Sequence, residues 1–388
     1  MSVGADPGGL HRVEVRPGPV RQESTVVVGA GALGAVDGLR SWLEGRTLFV
    51  VTSPTVARLH GHRLDPMRRA AGRCVDLEPV PDGEVAKTLD HAGALWRQML
   101  DSGGKRDSRL VAFGGGSVGD LGGFVAGCFL RGIEVVQVPT TLLAQVDAAV
   151  GGKTAVDMPT ADGVHKNSVG VFHHPAWVLA DTALLSTLPA AELRSGLVEV
   201  VKMAALLDVE LFEWVERDLD RLLAGDGDAL APVVAAAARA KAAVVEADAR
   251  EGGLRKILNF GHTMGHAFEG LLLAQADGGD GVVLRHGEAV AYGLRFALQL
   301  AQHLDLASDD LGPRMDALLN RFQLPTLPLG EEHGPRLLEL LARDKKATEQ
   351  GLVWVLPTGF GDRSSFRTVP PEVVGEVLDG FLAGSSTG

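Results

Sequence analysis

The sequence is poor in cysteine: Cys74 and Cys128 are the only two in 388 residues, far apart and in apolar settings. That argues against a disulfide framework or a thiolate metal site, and it fits a reducing cytoplasm. No apolar run reaches 18 residues, and the opening stretch MSVGADPGGLHRVEVRPGPV lacks the apolar core of an export signal. A soluble, cytoplasmic chain with no membrane partner is expected. Basic charge is in the minority, with 37 Lys and Arg against 49 Asp and Glu and a net charge of −12. That balance argues against nucleic acid as a partner, while leaving room for a local basic pocket. No internal repeat or low-complexity block is evident. What remains is a hydrophobic fraction of 46% with 22% charged residues, ordinary for a globular enzyme and long enough for two domains.

Residues 1–20 are rich in Gly and Pro and read as a loose extension. From there to residue 187, strand and helix patterns alternate, which predicts a parallel, Rossmann-like α/β domain over 21–187. Its first strand runs into Gly29-x-Gly31-x-x-Gly34, a dinucleotide fingerprint by pattern. The next strand ends at Thr52 and Ser53 with no acidic residue for a ribose, so a tight turn is the competing reading. A second glycine cluster, Gly114, Gly115 and Gly116, sits between a buried strand and a helix of small residues, with Asp120 in that helix's first turn. Glycines there let a backbone approach a pyrophosphate, and the helix start supplies amide donors. Glu84 and Lys87 stand at helical spacing after another strand. Thr140 and Thr141 either bond a cofactor or begin a helix. Asp147 lies in an apolar run, where an unpaired carboxylate is costly, so a partner is expected. Lys166 and Asn167 fall in a stretch read as a loop, 158–170.

From 188 to 388 helical patterns dominate, predicting an all-α metal- and substrate-binding domain. Glu199 and Lys202, three apart, share a helix face, as do His262 and His266, four apart. With His286 nearby, Glu199 and two of the three histidines make a His/His/Glu set that leaves an open position on zinc. Each histidine alone has a bland reading as a core or surface residue. Lys241, Arg255 and Asn259 beside them weaken that reading.

The stretches GGGSVGDLGGFVAGCFLRGIEVVQVPTTLLAQVDAAVGGKT, HKNSVGVFHHP, TLPAAELRSGLVEVVK, DAREGGLRKILNFGHTMGHAFE, RHGEAVAYG and ARDKK, in this order, closely resemble the 3-dehydroquinate synthases of the sugar phosphate cyclase family. The resemblance spans residues 25 to 370. It implies an NAD-binding α/β domain, a helical metal domain and a homodimer. It assigns Glu199, His262 and His286 to the metal (zinc, with cobalt as a substitute) and leaves His266 in the pocket as a non-ligand. It assigns Glu84, Lys87, Gly114, Gly115, Gly116, Asp120, Thr140, Thr141, Lys153, Lys166 and Thr187 to NAD. Substrate contacts and catalysis fall on Asp147, Lys153, Asn167, Lys202, Lys241, Arg255, Asn259, His266, Lys345 and Lys346. Arg131 matches an arginine that reaches the neighbouring subunit's phosphate site. Two departures stand out: His165-Lys166-Asn167 replaces Gly-Lys-Asn after a loop a few residues longer, and Ser53 replaces an acid or amide that contacts the adenosine ribose.

The implied substrate is an acidic seven-carbon sugar phosphate, 3-deoxy-D-arabino-heptulosonate 7-phosphate. The implied reaction is transient oxidation by NAD, phosphate elimination, re-reduction and intramolecular aldol closure to 3-dehydroquinate, a step toward the aromatic amino acids. Rival readings are another cyclase of the family, such as one taking an amino analogue or a neutral sugar phosphate, a metal-dependent alcohol or glycerol dehydrogenase, and a non-catalytic scaffold.

Overall fold

The computed structural model describes residues 23–34, 38–161, 163–276, 283–308, 310–342, 347–348, 351–361 and 364–385, with two short strand pieces nearer the start. Those pieces, β1 (Gly4–Ala5) and β2 (His11–Arg12), pair antiparallel. Next come β3 (Thr25–Val28), β4 (Thr47–Thr52), β5 (Arg73–Asp76), β6 (Arg109–Gly114) and β7 (Glu134–Pro139), then β8 (Lys153–Thr160), β9 (Gly163–Phe172) and β10 (Trp177–Ala180). Six of them form one parallel sheet in the order β3-β10-β7-β6-β4-β5.

Burial on both faces explains the apolar strand sequences. In β4, Phe49 and Val51 face a core shared with α4 (Leu89–Asp101) and α5 (Gly116–Cys128), once α1 (Leu39–Leu43), α2 (Pro54–His60) and α3 (Asp65–Ala70) have covered the other face over Leu48 and Val50. The order of strands reverses between β4 and β6, so the crevice outside their carboxyl ends is the switch point of the sheet. Ser53 and Gly114–Gly116 both lie there. The Gly29–Gly34 stretch instead follows β3, at the sheet edge, and is a tight turn: the Gly31 N–H donates to Asp181 (2.9 Å).

The stretch read as a loop around Lys166 is half of an antiparallel hairpin, β8–β9. Thr, Val and Met in TAVDMPT favour a strand, and a bulge between Val156 and Met158 turns Asp157 inward, where it accepts the Asn167 N–H (2.7 Å).

Beyond it the chain is mainly helical: α6 (Ala190–Leu207), α7 (Val209–Leu223), α8 (Gly227–Ala247), α9 (His262–Ala276), α10 (His286–His303), α11 (Leu311–Asn320) and α12 (Gly334–Ala342). Side-chain caps fix several starts; Asp208 accepts from Leu211 and Asp226 from Asp228. The part expected to be all-α also carries an antiparallel sheet, β11 (Ala347–Thr348), β12 (Gly351–Pro357) and β13 (Ser364–Val369), before α13 (Pro371–Ser385). Its alternating residues bury Trp354 and Leu356 against α10, which a helical face alone would leave open. Among the described residues no helix is long and apolar enough to cross a membrane.

Candidate metal centre and substrate cleft

Two helix starts and one helix interior converge beside the hairpin. Glu199, in the middle of α6, is fully buried, and the Lys202 Nζ one turn later lies 2.5 Å from its Oε2. Its Oε1 accepts no hydrogen bond and lies 3.7 Å from Nε2 of both His262 and His286. Close helix packing makes this approach possible. A methyl at Gly287 would stand 2.2 Å from the Ser195 carbonyl on α6, and one at Gly293 would stand 1.9 Å from the Gly261 carbonyl before α9. Both contacts admit glycine alone, and together they hold α10 against α6 and α9.

Each histidine is turned by a bond to its other nitrogen. His262 Nδ1 is 3.2 Å from the Phe260 carbonyl, and His286 Nδ1 is 3.3 Å from Glu269 Oε2. With the proton on Nδ1 in each, both Nε2 lone pairs face Glu199. Burial, then the charge of Lys202, pushes the His262 imidazole well below its ordinary value and keeps it neutral. Burial also opposes charge on His286, but Glu269 and Glu199 outweigh it and raise its affinity for a proton. A buried acceptor-only oxygen flanked by two oriented imidazoles is a donor set suited to a zinc-like ion. His266 completes a cluster in which the three histidines offer ligand atoms within 4.8 Å of one another. It lies on the exposed rim, while Glu199 and His262 form the buried floor.

Above this floor opens a cleft of about 570 Å³ lined by Asp120, Asp147, Lys153, Asn167, Lys202, Lys241, Arg255, Asn259 and the three histidines. Asp147 sits on a π-helical turn, Ala144–Ala148, and its partner is Lys241 of α8, which bonds both its carboxylate and its carbonyl. Burial would raise the Asp147 carboxyl, but Lys241 and Lys202 hold it well below the usual carboxylate range. Arg255 is buried with its guanidinium donating to the Ala249 (2.8 Å) and Gly151 (3.0 Å) carbonyls. Lys153 pairs with Glu251, which also accepts from Asn259 (3.3 Å).

On the sheet side, the buried Lys87 ammonium meets Asp120 (2.8 Å), Glu84 (3.3 Å) and Asn167. Burial pushes the Asp120 carboxyl up to about 6 against the pull of Lys87. The Thr140 N–H donates to Gly114 (2.9 Å), and Thr141 Oγ1 accepts from Ala144 (3.2 Å), so Thr141 does begin a helical turn. Thr187 Oγ1 lies 2.7 Å from His60 Nε2. Lys166 reaches across to Glu269 (2.7 Å). Arg131 follows the far end of α5, about 18 Å of helix from Gly116, and does not line the cleft of its own chain. Lys345 and Lys346 lie outside the described residues.

Three further residues join this site: Glu251, Glu269 and Asp157. Glu269 was open to detection, since it stands seven residues after His262 and three after His266, on the same helix face. Glu251 and Asp157 join the site through a turn and a bulge, which periodicity does not reveal.

Residues 78–195 match the family described as 3-dehydroquinate synthase N-terminal, and residues 196–347 match 3-dehydroquinate synthase C-terminal. A 3-dehydroquinate synthase of Symbiobacterium thermophilum is 43% identical over 354 residues, covering 90% of this chain and 95% of that protein. Among solved structures, 2-epi-5-epi-valiolone synthase from Streptomyces hygroscopicus subsp. jinggangensis, with NAD+ and Zn2+ bound, superposes with a TM-score of 0.79 at 26% identity, covering 95% of this chain and 99% of that one. A 2-deoxy-scyllo-inosose synthase complexed with carbaglucose-6-phosphate, NAD+ and Co2+ gives 0.79 at 27% identity, covering 92% and 96%. The chain belongs to the 3-dehydroquinate synthase family.

Proposed function

We propose that this member of the family is a phosphate-eliminating lyase that converts 3-deoxy-D-arabino-heptulosonate 7-phosphate to 3-dehydroquinate and phosphate in the cytoplasm. The observation that carries the reading is the orphaned Glu199 Oε1, buried 3.7 Å from two oriented imidazoles beneath a cleft lined by Lys153, Lys202, Lys241 and Arg255 together with Asp147 and Glu251. Glu199, His262 and His286 would hold zinc or cobalt, and residues 21–187 would hold NAD along the Gly114–Gly116 loop, Asp120 and Lys87. When bound, the metal supplies Lewis acidity to the substrate hydroxyls and NAD supplies reversible hydride acceptance at C5.

The protein's own groups do the rest. Lys153, Lys202, Lys241 and Arg255 line the cleft and would bind the carboxylate and phosphate of a substrate carrying about three negative charges, which explains why an acidic protein gathers these cations in one place. Arg255 cannot swing freely, because two backbone carbonyls fix its fork, so it presents a set geometry. Asn259 orients, and His266, on the rim, is placed to move protons. Burial lowers the proton affinity of the Lys241 ammonium, and Asp147, held ionised, opposes that shift and fixes the ammonium in place. Arg131 would serve the neighbouring copy of a homodimer.

Supplying the acidic heptulosonate phosphate, NAD and zinc, and following phosphate release with the ring product, tests the reading. Neutral sugar phosphates and the amino analogue run in parallel. Turnover of the acidic substrate above the others supports it; preference for a neutral sugar phosphate, or net NADH formation, overturns it.

A further inference from the structure

We propose that Glu269 is a positioning residue for His286, and that Lys166 extends its contact to the β8–β9 hairpin, so that metal loading and hairpin order reinforce each other. The proposal rests on the reading that His286 binds a divalent ion.

Glu269 bridges two elements far apart in sequence. Its Oε2 lies 3.3 Å from His286 Nδ1 at the start of α10, and its Oε1 lies 2.7 Å from Lys166 Nζ on β9. The carboxylate side chain is only 18% exposed. A neutral imidazole has one N–H. Donating it to Glu269 leaves the Nε2 lone pair facing Glu199 Oε1, 3.7 Å away. For His262 the same task falls to the Phe260 backbone carbonyl, which a side-chain substitution cannot remove.

Side-chain contacts tie the hairpin to the rest of the chain. Lys153 pairs with Glu251, Asn167 accepts from Lys87, and Lys166 pairs with Glu269. Of these, the third leads to a candidate metal ligand. Lys166 is 44% exposed, so as a plain surface ion pair it would add little to stability. As part of a chain from hairpin to His286 it acquires a different role. A metal that fixes His286 fixes Glu269 and the hairpin lysine, and by reciprocity the tethered hairpin favours the loaded site.

The test is zinc affinity of the purified full chain, measured by competition with a chromophoric chelator, together with amide exchange over the hairpin. Glu269→Ala should weaken zinc binding about 10–100-fold. Glu269→Gln should recover part of the loss, because its amide oxygen still accepts from Nδ1. Lys166→Met, at an exposed position where folding is not at stake, should weaken zinc by about fivefold or more. In the wild-type protein, zinc should slow exchange in β8 and β9 and leave α4 unchanged; in Lys166→Met that slowing should vanish. Wild-type zinc affinity in Glu269→Ala, or hairpin exchange that ignores zinc, overturns the proposal alone. A wild-type chain that binds no zinc overturns the metal reading with it.

Discussion

Glu199 Oε1 stands 3.7 Å from His262 Nε2 and accepts no hydrogen bond, though the residue is fully buried. Leaving a buried charged acceptor unsatisfied costs several kcal/mol unless a cation completes it, and Lys202 reaches only the other oxygen. Glu199→Gln keeps the shape and removes the charge. Zinc content by elemental analysis should fall to background in this variant, and turnover should fall with it. Full activity in a zinc-free Glu199→Gln protein would sink the assignment.

Helix packing sets the metal geometry, so a substitution away from the ligands should also disturb it. Gly287→Ala puts a methyl where the Ser195 carbonyl stands, 2.2 Å away, and forces α10 off α6. A loss of about 1–3 kcal/mol in urea unfolding is expected, accompanied by weaker zinc binding because His286 is the adjacent residue. A variant with normal zinc affinity would show that the close contact does not fix the site.

Asp120 gives a pH dependence of definite sign. Its folded-state value, about 6, exceeds the ordinary 3.8, because burial outweighs the pull of Lys87. Between those values the folded chain holds a proton that the unfolded chain has released. Stability from this group is therefore greatest below the lower value and falls as pH rises through the upper one. Relative to Asp120→Asn, the wild-type protein should lose up to about 3 kcal/mol between pH 4 and pH 7 in denaturant titrations. A gain over the same range would mean that the Lys87 pair dominates.

Lys241→Met removes the ion-pair partner of Asp147 and leaves that carboxylate with the weaker influence of Lys202 and His286. A destabilisation of about 3 kcal/mol and a large fall in kcat/KM are expected, by unfolding and by steady-state kinetics. Unchanged stability would mean that the pair contributes little.

The site was legible in the sequence where chemistry follows helical spacing or an uninterrupted glycine run. Glu199 with Lys202, His262 with His266, and Gly114–Gly116 after a buried strand all obey local rules. The fingerprint at Gly29–Gly34 obeys the same rules and sits at the wrong strand, because strand order is a property of the whole sheet. The hairpin around Lys166 was hidden by its polar, exposed β9, whose side chains lack the alternation that marks a half-buried strand. Glu251 pairs with Lys153, 98 residues away, and Glu269 with Lys166, 103 residues away; no local pattern reports either pairing, although helical spacing does put Glu269 on the face of His262 and His266.

In the proposed reaction the substrate is oxidised and then reduced again within one cleft, with phosphate leaving between the two steps. Substrate carrying deuterium at C5, turned over with unlabelled NAD and zinc, tests this most directly. One phosphate should be released per carbocyclic product, with the deuterium retained in that product and no NADH accumulating. Deuterium recovered in the free nicotinamide pool, with NADH rising in step, would contradict it.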